Sequence, residues 1–369
     1  MAIINWSRIH ESRTFSAVTP PLALSSFVYG LGVRLRLVAY RRKKRRSLPG
    51  FVVSIGNLTV GGTGKTPAAC MLAEWALTEG YRVAILSRGY GGWYKTKVLE
   101  VTDGDDINAG PAEAGDEPYL LAKKLKGVPV IISEKRYLAG LFAHKKFGTN
   151  FHILDDGFQH LALQRDLDLV LVDALSPFGN GHLLPWGPLR EPVGELKRAD
   201  AFIITRSGHD ESADQLMEDL REKFPEKPLF RSDHTPEQIV FPSKGLVHNP
   251  ELINGRRVMA FAGIARPEVF METLTELGAE LVFFRRFEDH HPFHHREIQE
   301  LMTEKRRLKA DYLLTTEKDW VRMEGLIPRY PDLAYMTIKF SLLDEGERFF
   351  RMMKEKAKGL RNSECGMSK

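Results

Sequence analysis

Cysteine is almost missing from this chain: its 369 residues include two, Cys70 and Cys365, far apart and without metal-ligand spacing. That excludes a disulfide framework and a cysteine-held zinc site, and it fits a reducing cytoplasm. No uninterrupted apolar run approaches the ~20 residues that span a bilayer, and no basic start, apolar run and small-residue cleavage site occur in that order. The expectation is a protein that is neither secreted nor membrane-spanning. Strong net charge is missing too. Lys+Arg number 53 against 48 Asp+Glu, a formal +5, so charge matters only where it is concentrated. Hydrophobic residues at 43% and charged residues at 27% exclude both disorder and a multi-span membrane protein. At roughly 100–200 residues per domain, the length predicts two domains.

The concentrated charge lies near the N-terminus. Between Pro21 and Tyr40, Leu24, Phe27, Val28, Leu31, Leu35 and Val38 recur at three- and four-residue steps, the period of one helix face. Arg41, Arg42, Lys43, Lys44, Arg45 and Arg46 follow without interruption. An apolar stripe beside a basic cluster describes a helix lying in a membrane interface, with cations on anionic head groups. At about 1 kcal/mol per basic residue near such a surface the cluster would contribute several kcal/mol, less at high salt. The same pattern suits a helix packed on the protein's own core with a solvated basic tail. Nucleic-acid binding is disfavoured, because the cluster has no interleaved aromatics and no reading motif around it.

Phe51 to Ile55 reads as a buried strand, Thr59-Val60-Gly61-Gly62-Thr63-Gly64-Lys65-Thr66 as a glycine loop, and Ala68, Leu72 and Trp75 as the start of a helix. Strand, loop and helix in this order aim backbone N–H groups and a helix N-terminus at phosphates. Lys65 would meet the β- and γ-phosphates of ATP and the Thr66 hydroxyl would ligate Mg2+. The usual pattern opens with glycine where this chain has Thr59; Gly61 and Gly62 supply the freedom to turn instead.

A second strand, Phe151 to Leu154, ends in Asp155-Asp156. Catalytic groups of open α/β sheets gather at the carboxyl ends of strands, and one of these acids can hold the magnesium. Asp173, ending another strand, is a rival that reads more simply as a strand-end cap. Asp116 precedes a helical pattern and by position alone is an N-cap. Phe287 to His295 packs four of the twelve histidines together, but Pro292 breaks any helix that would align them and no metal signature such as H-E-x-x-H appears.

These segments together resemble the tetraacyldisaccharide 4'-kinase family, the lipid A 4'-kinases. The resemblance covers most of the chain and rests on Ser54-Ile55-Gly56-Asn57 before the loop, Ser87-Arg88-Gly89-Tyr90-Gly91, Gly115-Asp116-Glu117-Pro118 and Leu154-Asp155-Asp156-Gly157-Phe158-Gln159-His160. It continues through Leu183 to Pro192, Phe261-Ala262-Gly263-Ile264-Ala265, Asp289-His290 and Thr315-Thr316-Glu317-Lys318-Asp319. It implies transfer of the γ-phosphate of ATP to the 4'-hydroxyl of an acylated glucosamine disaccharide 1-phosphate, with Mg2+. It also implies a peripheral protein on the cytoplasmic face of the bacterial inner membrane, with no nucleic acid and no obligate protein partner. By the same resemblance Asp116 pairs with His290 as the base, against the cap reading. The pair would form when two domains approach, protecting ATP from water. Arg88, Arg136, Arg190 and Glu191 lie in or beside the motifs as candidates for holding the substrate, the arginines for its 1-phosphate; ordinary ion pairing explains them equally.

Strands near 51–56, 82–87, 129–132, 151–155, 168–173 and 200–205 alternating with helices predict an α/β fold, a P-loop NTPase-type parallel sheet covered on both faces. Strands near 229–232, 257–262, 280–286 and 311–315 predict a second, smaller α/β domain. The expected division is an amphipathic membrane-associating segment over 1–46, a kinase core over 47–206, a C-terminal domain over 207–361 whose polar start is an inter-domain helix, and a frayed tail over 362–369. The rival function is a membrane-associated P-loop ATPase that switches a protein partner, which would need neither a base nor a sugar pocket.

Overall fold

The computed structural model describes residues 10, 19–208, 211–326, 330–343 and 345–365, the side chains of the last helix to Lys358. Strand β1 (Phe51–Gly56) is wholly buried and its side chains alternate between two cores. Phe51, Val53 and Ile55 pack on helix α2 (Lys65–Thr78), whereas Val52 packs with Ala84 and Leu86 of β2 (Val83–Ser87) on the opposite face. That is the period-two alternation of a strand covered on both sides. The same holds farther on: in β10 (Arg257–Ala262), Val258 and Ala260 face α7 (Pro267–Glu276), while Met259 and Phe261 face α8 (His295–Arg307).

The other strands are β3 (Leu99–Thr102), β4 (Val130–Ile132), β5 (Phe151–Asp155), β6 (Leu167–Asp173), β7 (Ala201–Thr205), β8 (Leu229–Phe241), β9 (Leu246–His248), β11 (Glu280–Arg286), β12 (Tyr312–Thr316) and β13 (Leu333–Leu342). Among the described residues thirteen strands form one sheet in the order β11-β10-β12-β13-β8-β7-β6-β1-β5-β2-β4-β3, with β9 on β8. The two predicted α/β units are therefore joined edge to edge. Strand β8 makes the join: Leu229 to Arg231 pair parallel with β7, and Ser232 to Val240 pair antiparallel with β13. Because that single junction reverses direction, the carboxyl ends of both half-sheets turn towards one shared cleft.

Strands β3, β9 and β13 are not among those the sequence predicts. The first two are short, and β13 is decided by pairing with β8, about a hundred residues away. Two further expectations change. Helix α6 (Glu211–Lys223), within the stretch expected between domains, buries Ala213, Leu216, Met217 and Leu220 against Val170 and Phe202 of the N-terminal half. The last helix, α10 (Gly346–Cys365), also returns to that half, where Phe350 stacks on Trp75 at 5.5 Å. It takes in the first four residues of the expected tail; 366–369 lie outside the described residues.

Candidate active site

The loop from Val60 to Thr66 lines a cavity of about 1380 Å³ at the shared carboxyl edge. Gly64, directly before Lys65, has φ +83°, and a Cβ there would sit 2.2 Å from His234 Nε2 on β8, so only glycine fits. The loop thus delivers its amides to the N-terminus of α2. Lys65 is buried, donates to Asn57 Oδ1 at 3.2 Å and lies 3.7 Å from Asp156 Oδ1. Thr59 is not on the cavity wall. Its hydroxyl accepts from Asn57 Nδ2 at 3.3 Å and its backbone bridges to Leu189, so it braces the loop from behind.

Asp155 ends β5 and Asp156 follows it beside Lys65, and both line the cavity. Their environments differ. Burial, then the charges of Glu117 and Asp156, push the Asp155 carboxyl up to about 7. Burial works the same way on Asp156, but Lys65 and Arg190 outweigh it and hold that carboxyl down at about 2. Arg190 Nη1 lies 2.7 Å from Asp156 Oδ2. The rival Asp173 is occupied otherwise, by Arg206 and by Arg266 at 3.0 Å. Among the described residues Asp155 Oδ1 and Asp156 Oδ1 are buried without a hydrogen-bond partner, and with the Thr66 hydroxyl they form a hard oxygen set suited to Mg2+. Two histidines of the histidine-rich stretch engage elsewhere: His291 Nε2 lies 3.0 Å from Glu297 Oε1, and His294 with Glu297 forms a capping box on α8.

Asp116 opens helix α4 (Asp116–Lys124), yet it does not cap it. The cap position is Gly115, at φ +87°, with no side-chain cap bond. The Asp116 carboxylate instead turns across the cleft, where Oδ2 lies 3.1 Å from His290 Nδ1 and accepts from Arg322 Nε at 2.6 Å. Arg322, on α9 (Glu317–Met323), also donates to Asp319 Oδ1 at 3.0 Å and to the Gly263 carbonyl at 2.8 Å. Burial alone would raise the Asp116 carboxyl; the bonds from His290 and Arg322 win and lower it. His290 sits at φ +61°, its backbone tied to Gly263 O at 3.2 Å. The pair is already assembled in this structure, so contact between the halves does not await a further approach.

Sequence reasoning missed Arg322, although its position three residues after Asp319 on one helix was the available signal. It also passed over Glu117, whose neighbours Lys318 and Lys65 lower its carboxyl against the effect of burial. His234 gave no sequence signal, because only strand pairing brings β8 under the loop. Arg88, Arg136 and Arg190 line the cavity. Arg136 is almost fully buried, which pushes its guanidinium down to about 10 despite Asp155 and Asp156 nearby. Glu191 corrects the expectation: it is absent from the cavity wall and 1% exposed, paired with Arg198 and, at 3.5 Å, with Arg36. Its carboxylate is spent on anchoring the N-terminal helix.

The family described as Tetraacyldisaccharide-1-P 4'-kinase matches residues 18–358. The chain belongs to that family. A tetraacyldisaccharide 4'-kinase of Desulfatibacillum aliphaticivorans is 41% identical over 346 residues, 91% of this chain and 92% of the relative. Another, from Geobacter metallireducens, is 41% identical over 88% of this chain and 94% of its own. Among solved structures, LpxK from Aquifex aeolicus, in its "apo" form in complex with ATP, superposes with TM-score 0.71 at 32% identity, covering 92% of this chain and 99% of that one.

In this member of the tetraacyldisaccharide-1-P 4'-kinase family the N-terminal helix α1 (Thr19–Arg42) flanks the same cavity through Tyr29, Arg36 and Tyr40. Its inner face is Ser26, Gly30, Val33 and Leu37, with Ser26 Oγ donating to Leu183 O at 2.8 Å and Arg36 Nη2 to Gln159 O at 2.6 Å. The stripe read from the sequence points the other way: Leu24, Phe27, Val28, Leu31, Leu35 and Val38 are all exposed. Packing on the protein's own core is therefore not what the stripe serves. By length and composition α1 could also cross a membrane, although its interspersed serines, glycines and arginines leave no uninterrupted apolar run.

Proposed function

We propose that the protein transfers the γ-phosphate of ATP to the 4'-hydroxyl of a tetraacyldisaccharide 1-phosphate, yielding the 4'-phosphorylated precursor of lipid A. The observation that carries this is the contact of Asp116 with His290 in the cavity that also holds the Lys65 loop. A protein-switching ATPase needs no such pair, and the family assignment does not favour it.

Phosphoryl transfer asks the protein to align donor and acceptor and to neutralise phosphate charge. The loop amides and Lys65 do the latter. Thr66, Asp155 and Asp156 would hold Mg2+, which supplies further positive charge to the phosphates when bound. Asp116 is a weak base, since Arg322 and His290 hold it ionised below the ordinary range. With Nδ1 turned to that carboxylate, His290 Nε2 takes the proton of the sugar hydroxyl, and Asp116 stabilises the imidazolium that results. Arg88, Arg136 and Arg190 serve the phosphates of the two substrates.

The lipid acceptor is reached from a membrane surface. Support comes from the exposed stripe of α1, the basic run that follows it and the position of Tyr29, Arg36 and Tyr40 on the cavity wall. The inward bonds of α1 favour a peripheral placement on the cytoplasmic face of the inner membrane, where ATP is available. Residues 1–46 are then the membrane-associating segment, 47–206 the kinase core and 207–361 the unit that brings His290, with α6 and α10 packed back on the core. Incubation with magnesium, ATP and a detergent-dispersed disaccharide 1-phosphate lipid should add one phosphate by mass. ATP turnover indifferent to the lipid, with no product, would refute the reading.

A further inference from the structure

Helix α1 lies across the loops that follow β6 and β5. Ser26 Oγ donates to Leu183 O at 2.8 Å, Tyr29 OH to Arg190 O at 3.0 Å and Arg36 Nη2 to Gln159 O at 2.6 Å. The next strand along this carboxyl edge is β2, paired parallel with β5. The loop after β2, residues 88–98, continues the motif that begins at Ser87. Through Arg88 and Tyr90 it shares the cavity wall with Tyr29, Arg36 and Tyr40 of α1. Its far end reaches the basic run: Arg46 lies 4.9 Å from the centre of the Tyr137 ring, and Tyr137 and Val98 pack against the same apolar cluster.

The backbone of this loop is fixed. The Trp93 amide donates to Ala112 O at 3.1 Å, Tyr94 OH to Arg88 O at 3.0 Å and Ser133 Oγ to Lys97 O at 2.7 Å. Its two outward rings are nonetheless left in water. Trp93 is 88% exposed and Tyr90 78%, more than Leu24 and Phe27, the most exposed of the α1 stripe at 67%. A single bare ring on a surface needs no partner, but here two stand three residues apart on a held backbone beside a cavity mouth. Lys95 and Lys97 are exposed, neither has an ion-pair partner among the described residues, and no acid interrupts residues 88–98. Tryptophan and tyrosine flanked by lysine suit a membrane–water interface, where amphipathic rings sit at head-group depth and ammoniums meet anionic phosphates.

We propose that the loop over residues 88–98 is a second membrane contact, with Trp93 and Tyr90 seated among the head groups of an anionic bilayer and Lys95 and Lys97 on their phosphates. The inference rests on the reading of α1 as a membrane-associating helix. Contacts at α1 and at this loop hold the mouth of the cavity against the bilayer, so the lipid acceptor enters without crossing water.

The test uses the full chain and vesicles of phosphatidylcholine with or without phosphatidylglycerol, comparing wild type, Trp93→Ala, Trp93→Phe and a Lys95→Gln, Lys97→Gln double variant. Trp93→Ala should lower partition about tenfold, as expected for a large apolar side chain that is partly buried, and Trp93→Phe should recover part of it. The double lysine variant should lose about tenfold or more on phosphatidylglycerol at low salt and nothing on phosphatidylcholine alone. Brominated acyl chains should quench a share of the wild-type tryptophan emission that shrinks in Trp93→Ala. With a short-chain disaccharide 1-phosphate dissolved as monomers, kcat and KM of Trp93→Ala should equal those of wild type. Wild-type partition of Trp93→Ala overturns the proposal, and so does a raised KM for the dissolved acceptor, which would make Trp93 a grip on the substrate itself. A wild type that does not partition onto either vesicle refutes the membrane reading of α1, an outcome distinct from a bound wild type matched by Trp93→Ala.

Discussion

Asp116 Oδ2 and His290 Nδ1 lie 3.1 Å apart although 174 residues separate them in the chain. The contact joins the start of α4 to the loop that follows β11, across the carboxyl edges of two half-sheets. Arg322 stands behind it, so the carboxylate stays charged and the imidazole keeps one orientation. Asp116→Ala should lower kcat about 10²- to 10⁴-fold, the usual range for a general base that loses its charged partner, with ATP affinity nearly unchanged. Normal turnover with a stability loss of about 1 kcal/mol would instead restore the cap reading.

Lys65→Ala removes a buried ammonium aimed at the loop. Asp156 keeps Arg190 as its partner at 2.7 Å, so the fold should survive. Turnover should fall about 10²- to 10³-fold, as for other charge-stabilising donors. Full activity in the variant would exclude the phosphate-loop assignment.

The paired carboxylates predict a pH dependence with a definite sign. Asp155, at about 7 in the folded protein, binds its proton more tightly than in the unfolded chain. Its contribution to stability is full below about pH 4 and lost as pH rises through about 7. Asp156, at about 2, acts oppositely: its contribution is present above about pH 4 and lost as pH falls towards 2. His152, His160 and His234, pushed down to about 4 chiefly by burial, also favour the folded state at higher pH. The readout is therefore a difference. Between about pH 5 and 8, the Tm of Asp155→Asn should rise relative to wild type. A constant difference would show that Asp155 does not titrate there. Magnesium should stabilise the wild type more at the alkaline end, because its ligand must lose a proton.

Phe27→Glu combined with Leu31→Glu places two charges on the outward stripe of α1. Partition onto phosphatidylglycerol vesicles should drop about 100-fold or more, since each large apolar side chain contributes roughly 1.5–3 kcal/mol when buried. Nucleotide affinity should not change. Equal sedimentation with vesicles would remove the membrane role from this face.

Glu191→Gln should act on stability and not on catalysis. Its carboxylate is buried against Arg198 and Arg36 and away from the cavity. A loss of about 1–3 kcal/mol by chemical denaturation is expected, the cost of a weakened buried charge-assisted bond. A raised KM for the lipid at unchanged stability would return Glu191 to the substrate site.

Local pattern alone determined much of this protein. The phosphate loop, the doubled aspartate and ten of the strands follow from runs, glycines and strand ends, because such features depend on neighbours in sequence. The outward stripe of α1 was equally legible, since a period of three to four residues marks a face whatever that face meets. What only the tertiary structure decided is which distant groups share a site. Reversal at β13 and β8 turned two half-sheets towards one cleft, took Asp116 from its cap to His290, set His234 under Gly64 and withdrew Glu191 into an ion pair. Those outcomes depend on strand pairing and burial over long separations, where a side chain's partner is set by the path of the whole chain and leaves no trace in local spacing.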